Sequence, residues 1–349
     1  MPAKALTRRK KISLALQGGG AHGAFTWGVL DHLLEDGRLS IEAISGASAG
    51  AMNAVCLADG WLENGSEGAR AQLERFWRAV SIDGKLNDTQ RAVFNRIMGA
   101  WSIPVFETNP FLKYLTGRYP PATINPLHIN PLKDVLEREI NFERIRKARN
   151  GVKLFVSATD VSAGKIAVFK GSELTAEHIL ASACLPKIFE AVVIDGRAYW
   201  DGGYMGNPPL FPLFSKTKSA DILLVQINAV MRETIPASLA EIEARLNEIT
   251  FNAPLLNELR AIDFVSRLTQ EGRLIDAPYQ QIFMHSLRLQ DALKDLDGTS
   301  KLQTDWDFFT MLRDAGRKAA KTWLEQHFDD VGERQTFNIR KEFTKGDSQ

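Results

Sequence analysis

The chain is expected to be an α/β protein with a mainly parallel sheet, and three observations predict this. Short apolar runs at residues 12–16, 41–44 and 222–227, with a further strand-like run at 153–158, have the length and composition of buried strands. The first two each enter a glycine-rich turn that leads into a run with helical character. That alternation gives parallel strands joined by crossover helices. The turns themselves lie at strand-to-helix junctions, where unshielded backbone N–H groups converge.

Residues 12–16 run into Gln17-Gly18-Gly19-Gly20-Ala21-His22-Gly23, after which Phe25, Trp27, Val29, Leu30, Leu33 and Leu34 recur at helical spacing until Gly37. Such a glycine run forms an anion nest, suited to a phosphate or to the oxyanion of an acyl-transfer intermediate. Residues 41–44 enter Gly46-Ala47-Ser48-Ala49-Gly50 and a small-residue helix that extends to residue 58. Strand, G-x-S-x-G and helix, in that order, form the context of a nucleophile elbow. Gly46 and Gly50 leave room for the sharp turn, and the helix starting at Ala49 aims its N–H groups at the serine oxygen.

Further along, Asp59-Gly60 and Asn64-Gly65 read as turns before a helix over residues 67–80. Residues 81–129 are irregular and aromatic, serving equally as a lid over an acyl-chain cleft or as cover for the sheet edge. Residues 130–149 read as a charged, amphipathic surface helix pair. Strands follow at 153–158 and 167–169, and then a helix over 176–183 that is capped by Thr175 and closed by Pro186. Asp195-Gly196 fits a hairpin turn, with Ala198-Tyr199-Trp200 leading into Asp201-Gly202-Gly203.

Beyond the 222–227 strand lies a helical stretch over 236–268 that Pro254 is expected to interrupt, then a late strand within 280–289. Thr304 is the expected cap of a last helix carrying Phe308, Phe309, Leu312, Ala315, Ala319 and Trp323 on one side. Arg313, Arg317, Lys318 and Lys321 lie off that stripe. Docking on the core and contact with a membrane surface both account for the pattern. The tail over 331–349 is expected to be unstructured.

With 43 basic against 42 acidic side chains the formal net charge is +1, so no global field draws the protein to nucleic acid. Cys56 and Cys184 sit in apolar helical contexts and read as buried free thiols. Arg8-Arg9-Lys10-Lys11 ends a basic extension over residues 1–10 but precedes no apolar signal region. A cytoplasmic protein is therefore expected, with peripheral contact at the inner membrane surface left open. The histidines are scattered and no C-x-x-C occurs, so neither a metal nor another cofactor is expected.

Three pieces together, Gly18-Gly19-Gly20-Ala21-His22-Gly23, Gly46-Ala47-Ser48-Ala49-Gly50 and Asp201-Gly202-Gly203, resemble the patatin-like phospholipase family. That family carries G-G-G-x-[RK]-G, G-x-S-x-G and D-G-[AG] in this order. Asn130-Pro131-Leu132, Ala158-Thr159-Asp160-Val161 and Ala181-Ser182-Ala183-Cys184-Leu185-Pro186 resemble its bacterial members, and the likeness spans residues 11–227. His22 departs from it, standing where the family has a permanent cation. The resemblance implies a three-layer α/β/α catalytic domain over residues 11–230, followed by a helical C-terminal region over 231–330 packed on it.

It also implies a serine acyl-ester hydrolase of lipase or phospholipase A type, acting on a lipid or other acyl ester. Ser48 would be the nucleophile, Asp201 the base, and Gly18, Gly19 and Gly20 the oxyanion hole. Gly46, Gly50, Gly202 and Gly203 would shape the motifs. The family's dyad needs no histidine, and none of His22, His32, His128, His178, His285 and His327 follows Asp201 in a matching motif. A carboxylate base must be desolvated to work, and Tyr199 and Trp200 are the expected wall. Asp160 and Asp195 are rival acids, better explained as a strand-end cap and a hairpin turn. His22 reads either as a solvent-facing helix start or as a polar group near the oxyanion.

Two other classes compete. Gly18-x-Gly20-x-x-Gly23 satisfies a dinucleotide fingerprint, but the second strand ends in Ser45-Gly46-Ala47-Ser48 without the ribose-binding acid. A non-catalytic lipid- or granule-associated acyl-binding protein of the same fold is the other alternative, and the presence of both Ser48 and Asp201 argues against it.

Overall fold

The computed structural model describes residues 9–81, 130–186, 189–232, 235–273, 281–293 and 305–344. The aromatic insertion beyond Ser81, Thr304 and His128 lie outside them.

In chain order the elements are β1 (Lys10–Leu16), α1 (Gly23–Asp36), β2 (Leu39–Gly46), α2 (Ala49–Ala79), α3 (Pro131–Glu139), α4 (Phe142–Lys147), β3 (Lys153–Asp160) and β4 (Lys165–Lys170). There follow α5 (Ala176–Ser182), β5 (Val192–Ile194), β6 (Arg197–Asp201), α6 (Phe211–Lys216), β7 (Asp221–Gln226), α7 (Leu239–Gln270), β8 (Phe283–Arg288), α8 (Trp306–His327) and α9 (Ile339–Thr344). The eight strands form one sheet, ordered β5-β6-β3-β2-β1-β7-β8 with β4 also on β3. Pairings from β3 through β8 are parallel, while β4, β5 and β6 pair antiparallel.

Alternation along the strands separates two cores. Leu14, Leu16, Ile44, Val156, Leu223 and Val225 face α1, α2 and α8. Ala15, Ala43, Phe155, Ile222 and Leu224 face Leu210 and Leu213, α7 and the C-terminal residues Phe337 and Ile339. Helices thus cover both faces, as a largely parallel sheet requires.

The register of β3 decides where the site lies. β4 pairs one edge of β3 over Phe155 to Asp160. On the other edge β2 pairs up to Val156, and antiparallel β6 pairs from Ala158. β2 and β6 therefore meet end to end, Gly46 opposite Val156 and Asp201 opposite Ala158, about 7 Å apart along β3.

Several expectations change in detail. Asp59-Gly60 is helical rather than a turn, because the buried Asp59 carboxylate takes the Asn141 N–H and pairs with Arg144. The break within α2 falls at Asn64 and Gly65, where Gly65 has φ 58°. The 130–149 helix pair is not merely superficial, since Leu132, Val135, Leu136, Phe142 and Ile145 enter the core. α7 continues through Pro254. The missing N–H there orphans only the carbonyl of exposed Thr250, which water can meet. Asp305, not Thr304, caps α8, accepting the Phe308 N–H at 2.9 Å.

α8 docks on α1 and removes its apolar stripe from solvent. Gly28 and Gly316 mark the crossing: a Cβ on Gly28 would lie 1.9 Å from the Arg313 carbonyl oxygen, and one on Gly316 would lie 2.1 Å from that of Phe25. Two of the off-stripe cations are spent on the same contact. Arg317 pairs with Asp31 and Glu35 of α1, and Arg313 lies over the Trp27 ring.

The tail expected to be loose from residue 331 is instead built into the fold as far as α9. Phe337 and Ile339 are buried. The fully buried His285 ring hydrogen-bonds Thr336 at 2.9 Å and Asp221 at 3.0 Å, and the Gly332 N–H also donates to Asp221. Lys10 Nζ donates to the carbonyls of Phe328, Asp329 and Val331, tying the first strand to the end of α8. Among the described residues no helix is long and apolar enough to cross a membrane.

Two predictions follow from this packing. Gly28→Ala forces the α1–α8 backbones apart and should lower stability by about 2–3 kcal/mol, read as a reduced urea midpoint. Glu258 in α7 accepts the Leu210 and Phe211 N–H groups at 2.9 and 2.7 Å. Burial outweighs those bonds and pushes its carboxyl up to about 7. The folded state thus keeps a proton that the unfolded chain loses near pH 4.5, so stability should fall as pH rises from about 4.5 to about 7. Glu258→Gln keeps the acceptor oxygen and should flatten that slope in a series of denaturant titrations. An unchanged slope would assign the dependence to another group.

Candidate active site

Ser48 follows β2 directly and precedes the first turn of α2. Its backbone adopts φ 52° and ψ −121°, a strained conformation for a residue with a Cβ, costing on the order of 1–3 kcal/mol. Among the described residues only Asp195, in the β5–β6 turn, is another non-glycine residue with positive φ. The elbow is pressed onto β1: a Cβ at Gly50 would sit 2.1 Å from the Leu16 carbonyl oxygen. Ser48 is 3% exposed, and its hydroxyl makes no hydrogen bond within the described residues. The Ser48 carbonyl accepts the Met52 N–H at 3.0 Å, so α2 begins at the serine and directs its positive end there.

The glycine loop rests on this elbow. A Cβ at Gly18 would lie 2.7 Å from the Ser48 Cβ, so only glycine allows the approach. Gly18 is held in both directions. Its N–H donates to Asn207 Oδ1 at 2.6 Å, and its carbonyl accepts Asn228 Nδ2 at 2.6 Å. The Gln17 side chain takes the N–H groups of Ile227 and Asn228 and donates to Asn252 of α7. This buried amide network sets the loop's position. It also engages the Gly18 N–H, which the family resemblance assigns to the oxyanion hole, with Asn207 instead.

Asp201 ends β6 with no exposed surface. Its Oδ1 accepts the Gly203 N–H at 2.7 Å, its N–H donates to the Cys184 carbonyl at 2.8 Å, and its carbonyl accepts Thr159 Oγ1 at 2.8 Å. Ser182, two residues before Cys184, accepts the Ser48 N–H on its Oγ at 2.9 Å. The end of α5 and the two residues after it thus bind the serine backbone and the aspartate backbone together.

The aromatic groups against this turn are Tyr204 and Phe251, rather than the expected pair Tyr199 and Trp200. Phe251 lies 3.2 Å from where a Gly203 Cβ would be, and meets Tyr204 edge-on at 5.0 Å. Tyr199 stacks edge-on with Phe169 instead, and Trp200 packs against the main core. Burial, and then the Asp201 charge, push the Tyr204 phenol up to about 12. The Cys184 thiol is likewise pushed up to about 12, chiefly by burial, which outweighs a lowering backbone hydrogen bond at Val192, with the Asp201 charge adding a smaller push. At neutral pH it is a hydrogen-bond donor to the Glu190 carbonyl, not a nucleophile.

The rival acids are engaged elsewhere. Asp160 accepts the Ala163 N–H at 2.9 Å and pairs with Arg197 at 3.1 Å, which together hold its carboxyl below the usual range. Asp195 is exposed in the hairpin turn. His32 pairs with Glu35, His178 with Thr175, His285 with Asp221 and His327 with Asp330. His22 does not face solvent: it is 4% exposed and lies 6.5 Å from the Phe308 ring. Among the described residues no group of three acids, histidines or cysteines is placed to hold a metal.

Ser182, Asn207, Asn228, Gln17 and Tyr204 are site residues that sequence reasoning had not singled out. Asn207 was signalled only by the turn-forming Asn207-Pro208 pair, and Ser182 by its place in the 181–186 motif.

A family model described as patatin-like phospholipase matches residues 14–214. No curated protein sequence matches the chain. Among solved structures, VipD from Legionella pneumophila is 15% identical with a TM-score of 0.46, covering 94% of this chain and 72% of that one. ExoU in complex with SpcU, from the type III secretion system of Pseudomonas aeruginosa, is 15% identical with a TM-score of 0.35, covering 92% of this chain and 53% of ExoU. The match over residues 14–214 spans more than half of the 349 residues and contains both the elbow and the D-G-G turn. The chain belongs to the patatin-like phospholipase family.

Proposed function

We propose that the protein is a serine acyl-ester hydrolase of lipase or phospholipase A type, cleaving lipid carboxylic esters through a dyad of Ser48 and Asp201. The observation that supports this most is the meeting of β2 and β6 on one edge of β3, with Ser182 and Cys184 tied to the two partners.

In this mechanism the Asp201 carboxylate takes the Ser48 hydroxyl proton as Oγ attacks the ester carbonyl carbon. The oxyanion of the tetrahedral intermediate is held by the N–H groups of Gly19 and Gly20 and by the start of α2 at Ala49. Collapse expels the alcohol, which leaves with the proton from Asp201, and Ser48 keeps the acyl group. Water then attacks the acyl-enzyme, giving up a proton to Asp201, and collapse releases the fatty acid as that proton passes back to Ser48 Oγ. The Gly203 N–H fixes the carboxylate's orientation, as the second residue of a dyad requires. Gly18 serves as the scaffold that sets the loop against the elbow.

Ser48→Ala and Asp201→Asn should each lower kcat for a medium-chain ester or a phosphatidylcholine substrate by at least about 10³-fold, with unchanged circular dichroism, because the two act as a unit. A fluorophosphonate probe should label the wild type and not Ser48→Ala. Absence of labelling and turnover in the wild type would favour an acyl-binding role without catalysis. More than about a tenth of wild-type activity in Asp201→Asn would remove it as the base.

His22 is the one histidine adjoining a motif of the site. His22→Gln should retain turnover within about tenfold of wild type, whereas a histidine base would make the loss comparable to that of Ser48→Ala.

A further inference from the structure

Glu258 lies in α7, outside the stretch that bears the family motifs, yet its carboxylate ends on the chain that holds the glycine loop. That chain runs from the Asp201 turn to the start of α6, and side chains fix it at successive points. Ser157 Oγ donates to the Gly206 carbonyl at 2.9 Å. Asn207 takes the Gly18 N–H and donates to the Gly18 carbonyl, and Ser45 Oγ donates to the Pro209 carbonyl at 2.6 Å. The Leu210 and Phe211 N–H groups come next, and both go to Glu258 Oε2. They open a helix, so no carbonyl of α6 can receive them.

Asn207 and Leu210 are separated only by Pro208 and Pro209. Each proline ring locks its φ, so the link is stiff, and a shift at Leu210 is passed to Asn207 rather than absorbed. Gly18 follows, because its N–H is bound to Asn207 Oδ1 at 2.6 Å. The same helix reaches the entry of the loop directly, where Asn252 accepts Gln17 Nε2 at 3.0 Å. Asn252 and Glu258 stand about 9 Å apart along α7. One helix therefore sets Gln17 and Gly18 from two points.

We propose that Glu258 is a positioning residue for the glycine loop, acting on Gly18 through the N–H groups of Leu210 and Phe211 and through Asn207. Its effect on turnover rests on the hydrolase function proposed for Ser48 and Asp201; its effect on the loop does not. Without the carboxylate the two N–H groups lose their acceptor and the chain at Asn207 relaxes. The loop then meets developing charge less well, while the ground-state ester, which depends less on it, binds as before.

The test compares the full-length wild type with Glu258→Met, which keeps the volume and removes the acceptor, and with Glu258→Gln, which keeps an acceptor oxygen. Glu258→Ala serves in place of Glu258→Met should the thioether disturb packing. In hydrogen–deuterium exchange, peptides covering residues 17–20 should exchange at least about tenfold faster in Glu258→Met, with those of α1 and α8 unchanged. Glu258→Gln should restore the protection. With a medium-chain ester, Glu258→Met should lower kcat by about 10–100-fold and leave KM within about twofold, with Glu258→Gln within about threefold of wild type. Here kcat is taken per serine titrated by a fluorophosphonate, so unfolded molecules do not count. Adding Glu258→Met to Asn207→Ala should cost little more than Asn207→Ala alone, since both act through one contact.

Unchanged exchange at residues 17–20 overturns the proposal, as does faster exchange confined to residues 210–216, which would make Glu258 a cap of α6 only. A loss in KM alone, or one that adds fully to that of Asn207→Ala, also overturns it. A wild type that neither labels nor hydrolyses, while Glu258→Met still loosens residues 17–20, would defeat the hydrolase function and uphold the positioning role.

Discussion

The architecture depends on how one edge of β3 is divided. A strand offers a single row of backbone donors and acceptors on each side, and here one row is shared by two partners running in opposite directions. β2 uses it up to Val156, and β6 begins at Ala158. Neither can extend without displacing the other, so both chains must turn out of the sheet at the same place. Ser48 lies just beyond one exit and Asp201 at the other. Antiparallel β6 is what makes this possible: a parallel strand in its place would put its C-terminal end farther along β3, away from the elbow.

Around this junction the polar groups are held by side-chain amides rather than by ladder hydrogen bonds. Gln17, Asn207, Asn228 and Asn252 satisfy the backbone of the glycine loop and of the chain leaving β7. Buried amides must find partners or cost stability, so the network has few alternative arrangements. It fixes the loop to within hydrogen-bond tolerance against a serine that is itself strained. A loop of three successive glycines would otherwise sample many conformations.

The fold and the two motif residues were legible because their signals are local. Strand runs, glycine turns and helical spacing are set by neighbours a few residues apart, and Ser48 and Asp201 are marked by the glycines beside them. What remained hidden depends on register between distant segments. Asn207 reaches Gly18 across 189 residues, and Ser182 reaches Ser48 across 134. Gly18 looked like a donor by its motif, yet its N–H is occupied for the same reason. Tyr199 seemed the natural wall for Asp201 by sequence proximity, but the turn at Gly202 and Gly203 brings Tyr204 and α7 there instead. Pro254 failed to break α7 because one lost hydrogen bond on a solvated side is outweighed by the burial of Leu255, Leu259 and Ile262.

Lys10 opens β1, and its ammonium group holds three carbonyls at the end of α8, 318 to 321 residues later in the chain. The segment that follows fills the core beneath α7 with Phe337 and Ile339. The stretch that bears the family motifs, residues 14–214, therefore lacks β7, α8 and the C-terminal residues that complete its two cores. In chain order the central strand β1 meets its second neighbour only at β7, residues 221–226, and the core beside it gains its covering helix only at α8, residues 306–327. Contacts of such high sequence separation slow the closure of a fold, and the sheet edge beside β1 has its partner only once β7 is present.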